Sequence, residues 1–323
     1  MNEILRIDGL SLRDDDKMLL DSVSIGLMPS QTIAFIGESG SGKTMTLKSI
    51  LSLLPRDVSK TSGTVLLDGS DIYSLSPKER RRLLGTTLGF VPQNTVNYLH
   101  PLLRVADQMT DGFINFNGRR MRKEALRKAG SLLERVGIAD PERVLSSYPS
   151  ELSGGMRQRV NIAAALMMDP PLLLSDEPTS ALDRIVQMQV ADLYLSLLEE
   201  RKLSLVLVSH DLVFVKRIAD LVAVFYSGHV VEQGTKEEIF SEPMHPYTKA
   251  LIALTPTLEQ DKTKPLEEIK GYISEDDRRR SGCPFAPRCP HARPACMERI
   301  RTVSVSPSHS VSCILAEEGH HGS

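Results

Sequence analysis

Charge of one sign is the first thing this chain lacks. Its 39 Lys and Arg stand against 41 Asp and Glu, a formal net charge of −2 over 323 residues. Nothing in that balance calls for a nucleic acid partner. Short basic runs at 80–82, 119–123 and 278–280 read as solvated faces. Long apolar runs are also missing: residues 203–208 form one of the most apolar, far short of the ~20 needed to cross a bilayer. The opening MNEILRIDGL puts Glu3 and Asp8 where a secretory leader needs a basic and then an apolar stretch. The expectation is a soluble or peripheral chain in the cytosol. Tryptophan is absent and no aromatic residue precedes Phe35. Cysteine is absent from the first 282 residues, and all four follow at Cys283, Cys289, Cys296 and Cys313. In a cytosolic chain such a cluster points to metal or redox chemistry before disulfides.

What is present is a long alternation of strand-like and helical patterns, without internal repeats. Residues 32–37, 87–91, 172–176, 204–209 and 222–226 are continuous apolar runs, which suit strands of a sheet covered on both faces. Residues 43–54, 184–202 and 212–219 read as helices between them, giving an α/β domain with a largely parallel sheet. Residues 77–168 interrupt this pattern with helices. Met121, Ala125, Leu126, Ala129, Leu132, Leu133 and Val136 recur at helical spacing, and Gly137 stands where a C-terminal cap is expected. After about residue 255, prolines, charges and turns dominate.

GESGSGKT, residues 37–44, fits G-x-x-x-x-G-K-[ST] and sits between a strand and a helix start. Glycines let successive N–H groups turn toward phosphate oxygens, and the helix dipole adds to the attraction. Gly37, Ser39, Gly40, Ser41, Gly42, Lys43 and Thr44 are therefore the candidate phosphate cradle. Lys43 is expected to reach the β- and γ-phosphates of ATP, and the Thr44 hydroxyl to bind Mg²⁺. LLLSDE, residues 172–177, is a buried strand ending in two carboxylates. Asp176 is the candidate for the Mg²⁺ shell and Glu177 the candidate base for the attacking water.

LSGGMRQ at 152–158 resembles the signature of the ATP-binding cassette ATPases, and further motifs follow that family's order. Gln93 in FVPQN resembles the glutamine that senses the γ-phosphate and the membrane-domain contact together and joins the Mg²⁺ ligands, SALD at 180–183 the loop ending in Asp183, and His210 in LVLVSHD the switch histidine. The resemblance spans roughly residues 3–255. It implies a phosphate-loop core with a mostly parallel sheet, an antiparallel β subdomain and an inserted helical subdomain at about 77–168. It also implies that Ser153, Gly154 and Gly155 open a helix from about 155 to 168 and cover the γ-phosphate held by a second cassette. Asp183 would communicate across that dimer, and His210 would hold the water in register with Glu177.

Two positions depart from the family. The aromatic residue that stacks on adenine is missing, and SLRDDDK offers Leu12 and Arg13 in its place. Weak selectivity for adenine follows as an expectation. The segment after Gln93, NTVNYLHP, also differs from the family's usual FQDPMTSLNP type.

HPYTKAL at 245–251, LEEIKGYI and then GCPFAPRCP at 282–290 resemble the end and the C-terminal extension of importers for dipeptides, oligopeptides and nickel. The cysteine spacings of five, six and sixteen lack the C-x₂₋₄-C pair usual in a structural zinc site. They leave open a [4Fe–4S] cluster, which the resemblance favours, zinc, or plain thiols. The expectation is one cassette at 1–255 and a small extension at 256–323. The chain would be the ATPase subunit of an importer of peptides, or of nickel or another metal chelate. It would work on the cytoplasmic face of the membrane with a second ATPase subunit (paralogue or copy), two transmembrane permease subunits and an extracytoplasmic substrate-binding protein. A soluble cassette protein without a transport role is the alternative from another class.

Overall fold

Alternating burial builds the first sheet. In β1 (Leu5–Asp14) the side chains of Leu5, Ile7, Leu10 and Leu12 are buried, and in β2 (Lys17–Leu27) those of Leu20, Val23, Ile25 and Leu27. The computed structural model describes residues 2–15, 17–93, 98–180, 182–254, 269, 271, 282–298 and 301–316. The chain divides into two units, Met1–Leu75 with Leu207–Ser323, and Ser76–Val206.

In the first unit, β3 (Thr32–Ile36) is buried at every position and leads into α1 (Lys43–Ile50). β4 (Val58–Leu67) and β5 (Ser70–Asp71) complete an antiparallel sheet in the order β2-β1-β4-β5. Register shifts between Ile7 and Arg13 break the strict alternation of β1. Helix α1 stops four residues short of the expected end at 54: Ser52 takes φ 54° and Pro55 follows, a local chemistry that does not continue a helix.

The second unit opens with α2 (Pro77–Thr87), started by a capping box between Ser76 and Glu79 with Pro77 in the first turn. β6 (Leu88–Val91), α3 (Val105–Asn117), α4 (Arg122–Arg135), α5 (Pro141–Ser146) and α6 (Gly154–Ala165) follow. The periodic residues expected in α4 are its buried face: Ala125, Ala129, Leu132 and Leu133. Gly137, at φ 81°, ends it as expected, with Ile138 N–H bonded to Leu133 O at 2.9 Å and Gly137 N–H to Glu134 O at 2.9 Å. β7 (Leu172–Asp176) lies parallel to β6 and is buried throughout. α7 (Arg184–Arg201) is fastened at its far end, where Arg201 and Lys128 of α4 both reach Asp169. The division of the chain falls within β8 (Ser204–Val208).

Back in the first unit, α8 (Leu212–Ile218) precedes β9 (Leu221–Tyr226), which pairs parallel with β3. β10 (His229–Thr235) turns antiparallel onto β9, followed by α9 (Lys236–Ser241) and α10 (Pro246–Ala253). The tail then does something the sequence pattern did not announce. β11 (Val303–Ser304) and β12 (Ser310–Val311) form a hairpin whose second strand pairs with Glu232 and Gln233 of β10. Strands of two residues carry no periodicity, so only the available edge of β10 reveals them. The LEEIKGYI stretch, except Ile269 and Gly271, and the basic run at 278–280 lie outside the described residues.

Candidate functional site: phosphate loop, strand-end carboxylates and thiol tail

β3 delivers the candidate cradle within the first unit. Gly37 takes φ 140° and Gly42 φ 112°. A Cβ on Gly37 would strike the carbonyl oxygen of Phe225, and one on Gly42 would lie 2.7 Å from Leu20 Cδ2, so both positions require glycine. Gly42 is the N-cap of α1, which has no acidic residue in its first turn and so keeps its positive end toward the loop. Ser41 and Lys43 are buried, Thr44 is half-buried, and Ser39 and Gly40 are exposed. The Lys43 ammonium curls across the loop and donates to Gly37 O at 2.7 Å, Glu38 O at 2.8 Å and Ser41 Oγ at 3.3 Å. His210 stands exposed just beyond β8, ahead of Asp211, which caps α8.

In the second unit, Asp176 ends β7 and is 5% exposed. Glu177 follows in the left-handed region at φ 45°, a conformation that costs a non-glycine residue of order 1–3 kcal/mol and clusters at functional sites. Gln93 Nε2 donates to Glu177 Oε2 at 2.8 Å, so two residues 84 positions apart that were singled out separately meet directly. Ser153 caps α6 by accepting from Met156 N–H at 3.3 Å, and Gly154 and Gly155 form the first turn. The helix starts one residue earlier and ends three residues sooner than expected. Asp183 accepts from Ile185 and Val186 N–H, both at 3.0 Å, and thereby caps α7. Ala181 of SALD and residues 94–97 after Gln93 lie outside the described residues. Of the two residues offered in place of the adenine-stacking aromatic, Leu12 is excluded. It is fully buried in β1, while Arg13 is exposed.

The four cysteines are free thiols and line one cavity with His245, Pro246 and His291. Burial, chiefly, pushes Cys283 up to about 12, and the other three thiols add to the rise. Cys289 and Cys313 are raised for the same first reason. Burial drives His245 down to about 3, so it is neutral. Its Nδ1 accepts from Tyr247 N–H at 3.0 Å, and its Nε2 stands 3.9 Å from Cys283 Sγ. Among the described residues no group of three or more His, Cys, Asp or Glu side chains is gathered closely enough to hold a metal ion.

Sequence reasoning missed what this tail touches. Phe285 packs edge-on against Tyr226 at the end of β9, with centroids 5.3 Å apart, and against Tyr247 of α10, also at 5.3 Å. Three residues on, Arg288 forms an ion pair with Glu38, the second residue of the phosphate loop. The available signal was a carboxylate inside GESGSGKT and an arginine inside PRCP, opposite charges separated by 250 positions.

The fold is that of an ABC-type nucleotide-binding ATPase. It aligns at TM-score 0.65 with cbiO1 of Clostridium perfringens, part of the ABC transporter complex cbiONQ, at 27% identity over 75% of this chain and 92% of that one. A dimeric ATP-binding cassette in a post-hydrolysis state bound to ADP and phosphate aligns at 0.62, with 27% identity over 72% and 98%. The ABC transporter family matches residues 20–180, and the oligopeptide/dipeptide transporter C-terminal region matches 231–296. Over 294 residues the chain is 40% identical to a putative peptide import ATP-binding protein of Brucella abortus (strain 2308), covering 91% of this chain and 88% of the relative. A dipeptide transport ATP-binding protein of Bacillus subtilis (strain 168) is 40% identical over 301 residues, 92% and 88%. The chain belongs to the ABC transporter family and, within it, to the ATP-hydrolysing subunits. No helix among the described residues is long and apolar enough to cross a membrane.

Proposed function

We propose that this chain hydrolyses ATP to ADP and phosphate to power the import of peptides through a membrane. The observation that carries the cargo is the run of relatives, 38–40% identical over more than 90% of this chain, named for import or transport of peptides, dipeptides or oligopeptides. None of those names favours the nickel alternative. In this reading Lys43 and the amides of 37–44 bind the β- and γ-phosphates, and Thr44, Gln93 and Asp176 complete the Mg²⁺ shell. Glu177 takes the proton of the attacking water, and His210 fixes the γ-phosphate. Ser153, Gly154 and Gly155 close on the ATP of a second ATPase subunit, a paralogue or a copy, with Asp183 beside that interface. Two permease subunits and an extracytoplasmic binding protein complete the assembly, which places the chain on the cytoplasmic face of the membrane. The cassette is 1–255, with its helical subdomain at about 77–168, and the extension is 256–323.

The Gln93 to Glu177 hydrogen bond supports this assignment, because it ties the candidate base to a candidate Mg²⁺ and γ-phosphate sensor. We infer in addition that Cys283, Cys289, Cys296 and Cys313 hold a [4Fe–4S] cluster. Support comes from the one cavity that the four side chains line together. Such a cluster would staple a tail poor in apolar residues.

The test is Glu177→Gln in the full chain. Turnover falls at least ~100-fold, the scale of a lost general base, while ATP binding persists; unchanged turnover sinks Glu177 as the base. Membrane fractions from cells with and without co-expressed permease subunits then separate the importer from a soluble cassette protein. The importer reading expects co-purification with the permeases and ATP-dependent peptide uptake.

A further inference from the structure

We propose that Arg288, in the thiol tail, is a positioning residue for the nucleotide site. Its guanidinium holds Glu38, and through it the phosphate loop, in the shape that accepts a nucleoside triphosphate. The inference rests on the reading of residues 37–44 as the phosphate cradle.

The Arg288 side chain is 7% exposed, and it meets Glu38 fork to fork. Nη1 donates to Oε2 at 2.8 Å and Nη2 to Oε1 at 3.1 Å. Further hydrogen bonds of the fork run to Tyr226 Oη at 3.3 Å, Ile269 O at 3.0 Å and Gly271 O at 3.2 Å. The guanidinium carbon lies 5.8 Å from the ring centre of Tyr226 and 6.0 Å from that of Phe285. A planar, delocalised cation is the side chain that can fill this slot, stacking on rings while it bonds both oxygens of a carboxylate.

Glu38 is also gripped along its backbone. Its N–H donates to Tyr247 Oη at 2.9 Å, and its carbonyl accepts from Lys43 Nζ at 2.8 Å and Ser41 N–H at 3.2 Å. The Lys43 and Ser41 bonds belong to the loop itself, whereas the Tyr247 and Arg288 bonds fix it from outside. A carboxylate beside bound phosphates would repel them, and the paired guanidinium cancels that charge. Arg288 is buried and Glu38 is 27% exposed, so removing the carboxylate strands the guanidinium, whereas removing the guanidinium leaves the carboxylate charge uncancelled beside the phosphates. Phe285 also docks the tail against Tyr226 and Tyr247, and the rescue by the double variant below separates the charge effect of Arg288 from that docking.

The experiment compares the full-length wild type, Arg288→Ala, Glu38→Gln and the double variant. Affinity for a fluorescent ATP analogue and steady-state ATP hydrolysis are measured for each. Arg288→Ala raises the analogue's Kd and the KM by about tenfold, the scale of a lost charge-assisted pair, with kcat changed by less than about twofold. Glu38→Gln in the Arg288→Ala background removes the unpaired charge and recovers most of the affinity. A purely structural tail contact would not produce that rescue. Wild-type affinity in Arg288→Ala, or a double variant no better than Arg288→Ala, overturns the proposal. If Arg288→Ala does not melt cooperatively, Arg288→Lys replaces it: lysine cannot form the fork, so a folded Arg288→Lys protein with wild-type Kd is equally fatal. A wild type that binds no analogue sinks the cradle reading itself, a result distinct from the failure of the Arg288 proposal.

Discussion

Phe285 shows how much one side chain decides. It is 1% exposed and joins Tyr226 and Tyr247, each fully buried, in an aromatic cluster between the tail and the β9 and α10 region. Phe285→Ala is expected to cost about 3–5 kcal/mol, read by denaturant unfolding. At the candidate base-binding position, the burial of Leu12 leaves Arg13 as the one candidate carried over from the sequence. A guanidinium stacks on any nucleobase, so ATP and GTP should compete for the site with affinities within about tenfold. A strong ATP preference in a displacement titration would refute this. The candidate nucleotide residues were legible because glycine, lysine and carboxylate spacing is dictated by phosphate and Mg²⁺ chemistry over a few positions. Arg288 was not, because no local rule links an arginine in a proline-rich loop to a glutamate 250 positions earlier.

Capping chemistry governs the elements. Asp183 holds two amides at the start of α7, and Asp183→Ala should lower stability by about 1 kcal/mol through loss of the cap, measurable as a lower denaturant midpoint. Thr235 caps α9, and Glu238 completes the capping box by accepting from Thr235 N–H at 2.8 Å; it also receives the hydroxyls of Ser306 at 2.7 Å and Ser308 at 2.9 Å from the turn between β11 and β12. Partial burial opposes its charge. The hydrogen bonds from Thr235, Ser306 and Ser308 win and lower it from 4.5 to about 2. On acidification the unfolded chain therefore binds this proton before the folded one does. The contribution to stability is complete above about 4.5 and is lost as the pH falls from 4.5 toward 2. Amide protection in the β11–β12 hairpin should fade across that window, and Glu238→Gln should flatten the dependence. The long helices and buried strands were readable from periodicity, α4 down to its terminal glycine. The hairpin was not, since pairing on the edge of β10 is a property of a neighbour and not of the two residues that pair.

For the whole molecule, the tail is part of the first unit and reaches the phosphate loop, so it is more than an appendage closing the chain. Anaerobic purification followed by an absorbance spectrum with iron and sulfide analysis tests the cluster. About four irons per chain are expected with all four cysteines present, and loss of the chromophore on Cys283→Ser. A colourless, iron-free protein would leave four plain thiols. Sequence alone determined the family, the order of the nucleotide motifs and the α/β class, because each follows from residue types at short, fixed spacing. Only the tertiary structure decided that Gln93 meets Glu177, that Leu12 is unavailable to a base, that the cysteines line a cavity beside His245, and that Arg288 grips Glu38. Those contacts join residues far apart in the chain, and they arise from packing, burial and charge pairing that no local pattern records.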